Sequence, residues 1–312
     1  MSDSFRRRLF LLKPESTYGT DSGPTAGANA VLFMDGAVDY VTSPIERQLD
    51  RGFYGANPTV QVGKQIQITG MTDLLGAATV GDAAPTSALL RACGFAETLV
   101  ATTSATYAPV TDSMASASAR FHHNRDLVSG RGFRGNVELM FDIKNFARAQ
   151  WTLLGLPPAS GNAVTDAALP SPTLTAWRDP PAIETESFEV SLDSFDLDAV
   201  GVTVNMNNQV TVYEGSESRQ VIIIERAPTI TIRAFNPGVA AKDYFAAAIA
   251  GTRMALAFAV DAGASNIISV ASPAVQLSRT PQKIDIDGRT GIQLEGRLLP
   301  NTGNDEISIA FT

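Results

Sequence analysis

A chain of 312 residues with 44% hydrophobic and 18% charged residues can bury one large core or two ordinary ones, and is not compositionally disordered. Its 24 Lys and Arg against 32 Asp and Glu give a net charge of −8, the wrong sign for gripping nucleic acid by displacing counterions. Cys93 is the single cysteine, which excludes an intramolecular disulfide, weighs against a cysteine-based zinc site and fits folding in a reducing cytoplasm.

The N-terminus reads Arg6-Arg7-Arg8 and then Leu9-Phe10-Leu11-Leu12, an apolar run too short for the core of a signal peptide. No stretch approaches the roughly 20 apolar residues of a membrane helix, so no membrane partner is expected. Residues 13–58 are rich in Gly, Pro, Ser, Asp and Asn, with one apolar patch at Val31–Met34. We expect residues 1–58 to form an extended arm. Its Leu11, Leu12, Tyr18, Phe33, Tyr40, Phe53 and Tyr54 are the candidates for contacts with another subunit or ring.

Strand patterns follow. Val60, Val62, Ile66 and Ile68 share one parity and Gln61, Gln65, Gln67 and Thr69 the other, which is the period of a half-buried strand. A helix is predicted over Asp82–Phe95, opened by Pro85, carrying Leu89 and Leu90, and closed by Gly94. Strands at 115–128 and 136–154 flank a Gly-rich turn, and residues 59–156 make a first domain. The Pro- and Gly-rich stretch from Gly155 to Pro172 places a linker at 157–178.

The second domain, 179–312, opens with Phe188, Val190 and Leu192 alternating with Glu189, Ser191 and Asp193; the parity then flips to Phe195 and Leu197, which requires a bulge or bend near Ser194. Val200, Val202, Val204 and Met206 lead into Asn207-Asn208, read as a hairpin turn toward Val210 and Val212. Further strands are expected at 221–224, 229–232, 254–260, 267–270, 274–277, 291–298 and 307–311, with a short helix over Asp243–Ala250 stopped by Gly251. The fold class is mainly β: tandem sandwich or barrel domains, each flanked by a short helix. The order strands, helix, strands occurs in both halves.

The motifs that could carry chemistry read better as structure. Gly130-Arg131-Gly132-Phe133-Arg134-Gly135 spells G-x-G-x-x-G, but a dinucleotide site needs its last glycine to open a helix, and here Asn136–Ile143 alternates like a strand. His122 and His123, the only histidines, would point to opposite faces of a strand and cannot chelate together. No G-x-S-x-G elbow is present to support a serine nucleophile. Asp285-Ile286-Asp287-Gly288 begins like a calcium loop, but Arg289 and Gly296 occupy positions that need oxygen ligands, so a tight hairpin turn is expected. No catalytic residue, metal or cofactor is expected. From Asp179 to Ser218 there is no Lys or Arg, and Glu184, Glu186, Glu189, Asp193, Asp196 and Asp198 are acidic. They are either a solvated face or a surface that keeps a uniform negative field, such as a channel wall that DNA slides past.

Several segments together resemble the two-part tail tube proteins of long, non-contractile bacteriophage tails. They are Leu11-Leu12-Lys13-Pro14-Glu15-Ser16-Thr17-Tyr18-Gly19-Thr20-Asp21, Leu89-Leu90-Arg91-Ala92-Cys93-Gly94-Phe95, Gly132-Phe133-Arg134-Gly135-Asn136-Val137, Glu225-Arg226-Ala227-Pro228-Thr229 and the ending from Leu299 to Ile307. The resemblance implies a structural virion protein without enzymatic activity, made in the bacterial host cytoplasm and resident in the tail. Its subunits would close into rings with an acidic lumen and stack into a tube for the genome. The ring would hold three chains with pseudo-sixfold symmetry, or alternatively six chains. Partners would be copies of itself and the terminator, tape measure and distal tail proteins, with DNA passing through unbound. The same composition also fits a capsid decoration or fibre protein, or a β-sandwich hydrolase or glycan-binding domain. Against the last, Trp151 and Trp177 sit in apolar contexts that read as core.

Overall fold

The computed structural model describes residues 6–180, 182–261 and 266–312. The chain begins with β1 (Arg8–Pro14), in which Leu9, Phe10, Leu11 and Leu12 are all buried. A strand buried on both faces carries no alternation, which is why this one is hidden in the sequence. β1 pairs with the short β2 (Ala30–Val31) and, along its whole length, with β7 (Ala117–His123). Between them lie β3 (Met34–Glu46) and β4 (Thr59–Asp73), a long hairpin, then α1 (Ser87–Ala92), then the hairpin β5 (Phe95–Val100) and β6 (Ser104–Pro109). β8 (Asp126–Asp142) and β9 (Arg148–Leu156) follow as a second long hairpin, and β10 (Val164–Asp166) returns to pair with β8.

The second half holds β11 (Phe188–Leu192), β12 (Phe195–Leu197), β13 (Ala199–Asn205), β14 (Gln209–Glu214), β15 (Arg219–Glu225) and β16 (Thr229–Phe235). Then come α2 (Tyr244–Ala250), β17 (Arg253–Asp261), β18 (Ile267–Leu277), β19 (Gln282–Ile286), β20 (Arg289–Leu298) and β21 (Ser308–Phe311). The protein is mainly β, as the alternation predicts, and its sheets form a sandwich rather than a closed barrel.

Two layers enclose the core. One is a single sheet in the order β3–β4–β9–β8–β13–β16–β20–β19, antiparallel throughout. The other contains β5–β6–β21–β18–β17–β11–β12. The core crosses the boundary between the halves: Phe141 of β8 meets Phe258 of β17 edge-on at 5.0 Å, and Tyr107 of β6 meets Phe311 of β21 at 5.7 Å. Trp151 is fully buried and its indole N–H donates to Thr72 Oγ1 at 2.9 Å, which satisfies its one polar atom.

Local differences from the sequence reading have physical causes. The segment expected to be an extended arm over 1–58 contributes β1, β2 and β3 from its described residues, with Phe10, Leu11 and Leu12 buried in the core. The helix expected over Asp82–Phe95 is confined to Ser87–Ala92, while Gly94 takes the positive φ of 84° that ends it. α2 matches its signals closely: Asp243 caps it by accepting from Ala246 N, and Gly251 closes it at φ 64°. The parity flip at Ser194 is not a bulge. Asp193 and Ser194 both have positive φ and form a two-residue turn that folds β12 back on β11, with Leu192 opposite Phe195. Asn207-Asn208 is not a hairpin turn, since β13 pairs with β8 and β16 while β14 and β15 form a separate two-stranded hairpin. The linker stretch is strapped down, through β10 on β8 and by Trp177 Nε1 donating to Ala30 O at 3.0 Å.

Since Phe10 stacks on Phe33 at 4.4 Å and is 2% exposed, Phe10→Ala leaves a cavity between β1 and the segment that joins β2 to β3. It is expected to cost about 3–5 kcal/mol in urea unfolding. An unchanged midpoint would show that β1 is a dispensable arm.

Candidate assembly surface

Of the eight strands from β3 to β19, the six inner ones have one face on the core and the other half-exposed, while the edge strands β3 and β19 bury no hydrophobic side chain. Ile66 and Ile68 of β4, Trp151 and Leu153 of β9, Val137 and Leu139 of β8, Val202 and Val204 of β13, Ile230 and Ile232 of β16, and Ile292 and Leu294 of β20 point inward and are buried. Period-two alternation then fixes what faces outward. Those positions are Gln65, Gln67 and Thr69, Gln150 and Thr152, Asn136 and Glu138, Thr203 and Asn205, Thr229 and Thr231, and Gln293 and Glu295. Neutral amides and hydroxyls dominate this face.

Its charges are largely matched. Arg148 sits 3.3 Å from Asp73, Arg233 pairs with Asp142, and Arg279 pairs with Glu295. Asp39 and Glu138 stand against Arg297 and against Arg289, which lies over the Phe235 ring at 4.4 Å. Amide bonds knit the face across strands: Asn136 Nδ2 donates to Asn205 Oδ1 at 2.9 Å, and Asn205 Nδ2 to Glu138 Oε2 at 3.3 Å. The two outer strands, β3 and β19, pair on one side only among the described residues, with β4 and β20.

Above this sheet the β3–β4 hairpin projects. Its turn, residues 47–58, carries Phe53 at 70% exposure and a fully exposed Tyr54, and the adjoining strands expose Ile45 and Val60. The contact candidates therefore divide. Leu11 and Leu12 are spent inside the subunit, Phe33 stacks on Phe10, and Tyr18 is half-buried, whereas Tyr40, Phe53 and Tyr54 are exposed.

The acidic candidates lie elsewhere. Glu184 caps the short helical turn Thr185–Ser187 and Glu186 lies within it, Glu189 is on β11, Asp193 is in the β11–β12 turn, Asp196 is on β12, and Asp198 precedes β13. Phe188, Val190 and Leu192 of β11 face the core, so Glu189 points away from it on the second sheet, across the sandwich from the amide-rich face. Asp193 is paired with Lys242 Nζ at 2.7 Å.

The glycine motif has a packing role that its spelling conceals. β8 does not turn at this point; it bulges between Arg131 and Arg134, and Gly132 has a φ of 65°. A Cβ at Gly132 would lie 2.7 Å from the Tyr18 hydroxyl. That hydroxyl accepts the backbone N–H of Val221, and Arg134 lies over the Tyr18 ring at 5.1 Å while donating to the carbonyls of Met114 and Val221. The Glu15 carboxylate accepts from Gly19 N, Ser116 Oγ, Ser118 Oγ and Gly132 N at 2.6–2.8 Å. Together these bonds fasten the β14–β15 hairpin to the first half. Asn208 adds two more, to Cys93 O and Gly135 O.

His122 is buried on β7, and burial lowers its imidazole pKa. Asp287 and Gly288 both have positive φ and place Ile286 opposite Arg289, the tight turn expected for that sequence. Among the described residues no group of His, Cys, Asp or Glu could hold a metal ion, and no helix is long and apolar enough to cross a membrane. A cleft of about 540 Å³ lies between β15, the end of β20 and residues 303–306, walled by Ile223, Ile224, Pro228 and Leu299. At its base the Arg226–Glu306 ion pair is held further by Arg226 donating to Val110 O at 2.9 Å.

A polar, amide-lined sheet with two open edges and an exposed aromatic hairpin defines a β-structural subunit built to meet other chains. The family model for phage tail tube proteins matches residues 6–312, and the chain belongs to that family. It is accordingly a structural component of a phage tail. No curated protein matches the chain.

Because Gly132 combines a left-handed backbone with contact to Tyr18, Gly132→Ala is expected to lower stability by about 1–3 kcal/mol. Limited proteolysis should then cut first within 209–225. Wild-type resistance there would mean that the Tyr18 contact does not anchor the hairpin.

Proposed function

We propose that this subunit forms closed rings of three chains that stack into the tube of a long, non-contractile tail, with the amide-lined face of the eight-stranded sheet as the wall of the bore. The observation that carries this reading is that face together with its two free edges. A long unpaired edge templates strand addition, and ring closure removes the hazard. A head-to-tail contact between unlike edges makes a ring when its rotation closes.

Three copies are favoured because each chain already supplies two four-stranded units of the same order. β3–β4–β9–β8 in the first half and β13–β16–β20–β19 in the second each join an early hairpin to a late one, with a helix between them in sequence. Three chains then give six similar units.

The bore so built is polar, with its acidic and basic side chains near balance. Gln, Thr and Asn offer weak contacts, and the arginines of the wall are mostly held by carboxylates, so DNA phosphates find few free cations to bind. The acidic run from Glu184 to Asp198 would face away from the bore, on the outer sheet. The β3–β4 turn, with Phe53 and Tyr54, is placed to reach the next ring. Assembly in the host cytoplasm and contact with other tail proteins at the tube ends complete the reading.

Negative-stain electron microscopy of the purified chain should show hollow filaments of constant width with three chains per ring. Phe53→Ser with Tyr54→Ser should preserve folding and rings but shorten or abolish the tubes. A wild-type chain that stays monomeric at high concentration, or rings of six chains, would contradict the reading.

A further inference from the structure

The ring leaves open which strands meet and in what register. The subunit supplies a template, because its own sheet contains a joint between halves. Equivalent positions can be read from the pairings. In the first half Ile66 pairs with Gly155, Ile68 with Leu153 and Gly70 with Trp151. In the second Ile230 pairs with Gly296, Ile232 with Leu294 and Ala234 with Ile292. The residue types repeat along with the register.

The first strands agree as well: Tyr40 pairs with Ile66 as Val204 pairs with Ile230. Both carry a bulge at the same place, immediately before the pairs Ala37–Thr69 and Gly201–Arg233. In the late hairpins Glu138 pairs with Gln150 as Ile284 pairs with Gly291, each five residues before the matched glycines Gly155 and Gly296. Hence Val41 corresponds to Asn205, Asp39 to Thr203, Ile284 to Glu138 and Ile286 to Met140.

The internal joint between β8 and β13 sets Glu138 opposite Asn205 and Met140 opposite Thr203, antiparallel. Its counterpart would lie between β19, the strand equivalent to β8, and β3, the strand equivalent to β13. Those two strands are the open edges of the sheet. We propose that β19 of one subunit pairs antiparallel with β3 of the next in the register of the internal joint, with Ile284 opposite Val41 and Ile286 opposite Asp39. This rests on the ring reading above and specifies its contact.

The side chains support the pairing. Val41 is 39% exposed and Ile284 half-buried, two aliphatic groups on a mostly polar face, each at an open edge. Set opposite each other they are about 4.5–5.5 Å apart and shield one another from water, the cross-strand contact that stabilises a sheet. At the internal joint, where both strands are already paired, the equivalent positions are the polar Glu138 and Asn205.

Co-assembly of two single variants, Val41→Cys and Ile284→Cys, tests the register between different copies. Directly opposed residues lie within disulfide reach, whereas a diagonal offset of two residues, at about 7–8 Å, does not. Native Cys93 is buried and stays out of the reaction. After mild oxidation, a covalent dimer should appear in the mixture and in neither variant alone. The in-register mixture of Asp39→Cys with Ile286→Cys should link too, and the offset mixture of Asp39→Cys with Ile284→Cys should not. Tubes that form normally while both in-register mixtures stay unlinked, or while the offset mixture links best, overturn the register and leave the ring standing. Failure of the wild-type chain to form rings overturns the reading beneath it.

Discussion

The structure depends on the backbone hydrogen bonds that its main sheet leaves unmade. β3 offers an edge of 13 residues and β19 one of 5, each paired on one side only among the described residues. Such edges bind whatever strand reaches them first, so a stable protein either hides them or uses them. The edge strands lack the buried row of the middle ones: on the core side β19 carries the exposed Lys283 and Asp285, and β3 the exposed Tyr40. The sheet's inward face is otherwise buried in a core common to both halves, which makes the sheet stiff enough to present the two edges at a fixed separation. The function proposed for the chain follows from that stiffness more than from any single side chain.

The remaining architecture can be understood as holding this sheet in shape. β8 is the central member. Its first half pairs with β7 and β10, its second with β9 and β13, and the bulge at Gly132 lets it pass from one neighbourhood to the other. Glu15, Tyr18 and Arg134 gather at that bulge and satisfy backbone groups that the irregularity would strand, which matters because buried polar groups without partners are costly. The same cluster ties down the β14–β15 hairpin, the insertion between β13 and β16. The turn between β3 and β4, at the equivalent place in the first half, has no comparable anchor and exposes its aromatics.

Much of this was legible in the sequence. Alternating strands such as 60–69 and 188–192, the α2 caps at Asp243 and Gly251, and the turn at Asp287-Gly288 each obey local rules, and local rules are what a sequence displays. The resemblance to tail tube proteins also held, since the family match covers residues 6–312. What escaped depends on contacts distant in the chain. Leu9–Leu12 show no alternation because both faces of β1 are covered, and the covering strand β7 lies about a hundred residues away. For the acidic run, composition registers charge but not the layer that bears it, which for Glu189 is the second sheet. The amide face was present as Gln, Thr and Asn residues at alternating positions on six strands, yet its continuity required knowing that those strands are neighbours.

The central claim is that β3 and β19 gain backbone partners only on assembly. Hydrogen exchange measured on separated subunits and on assembled tubes addresses it directly. The account predicts that the outward-directed amides over 39–43 and 282–286, those not bonded to β4 or β20, exchange readily in the subunit and become protected in the tube, while the core strands β8 and β9 are protected in both. Tubes in which those edge amides still exchange as fast as in the free subunit would contradict it.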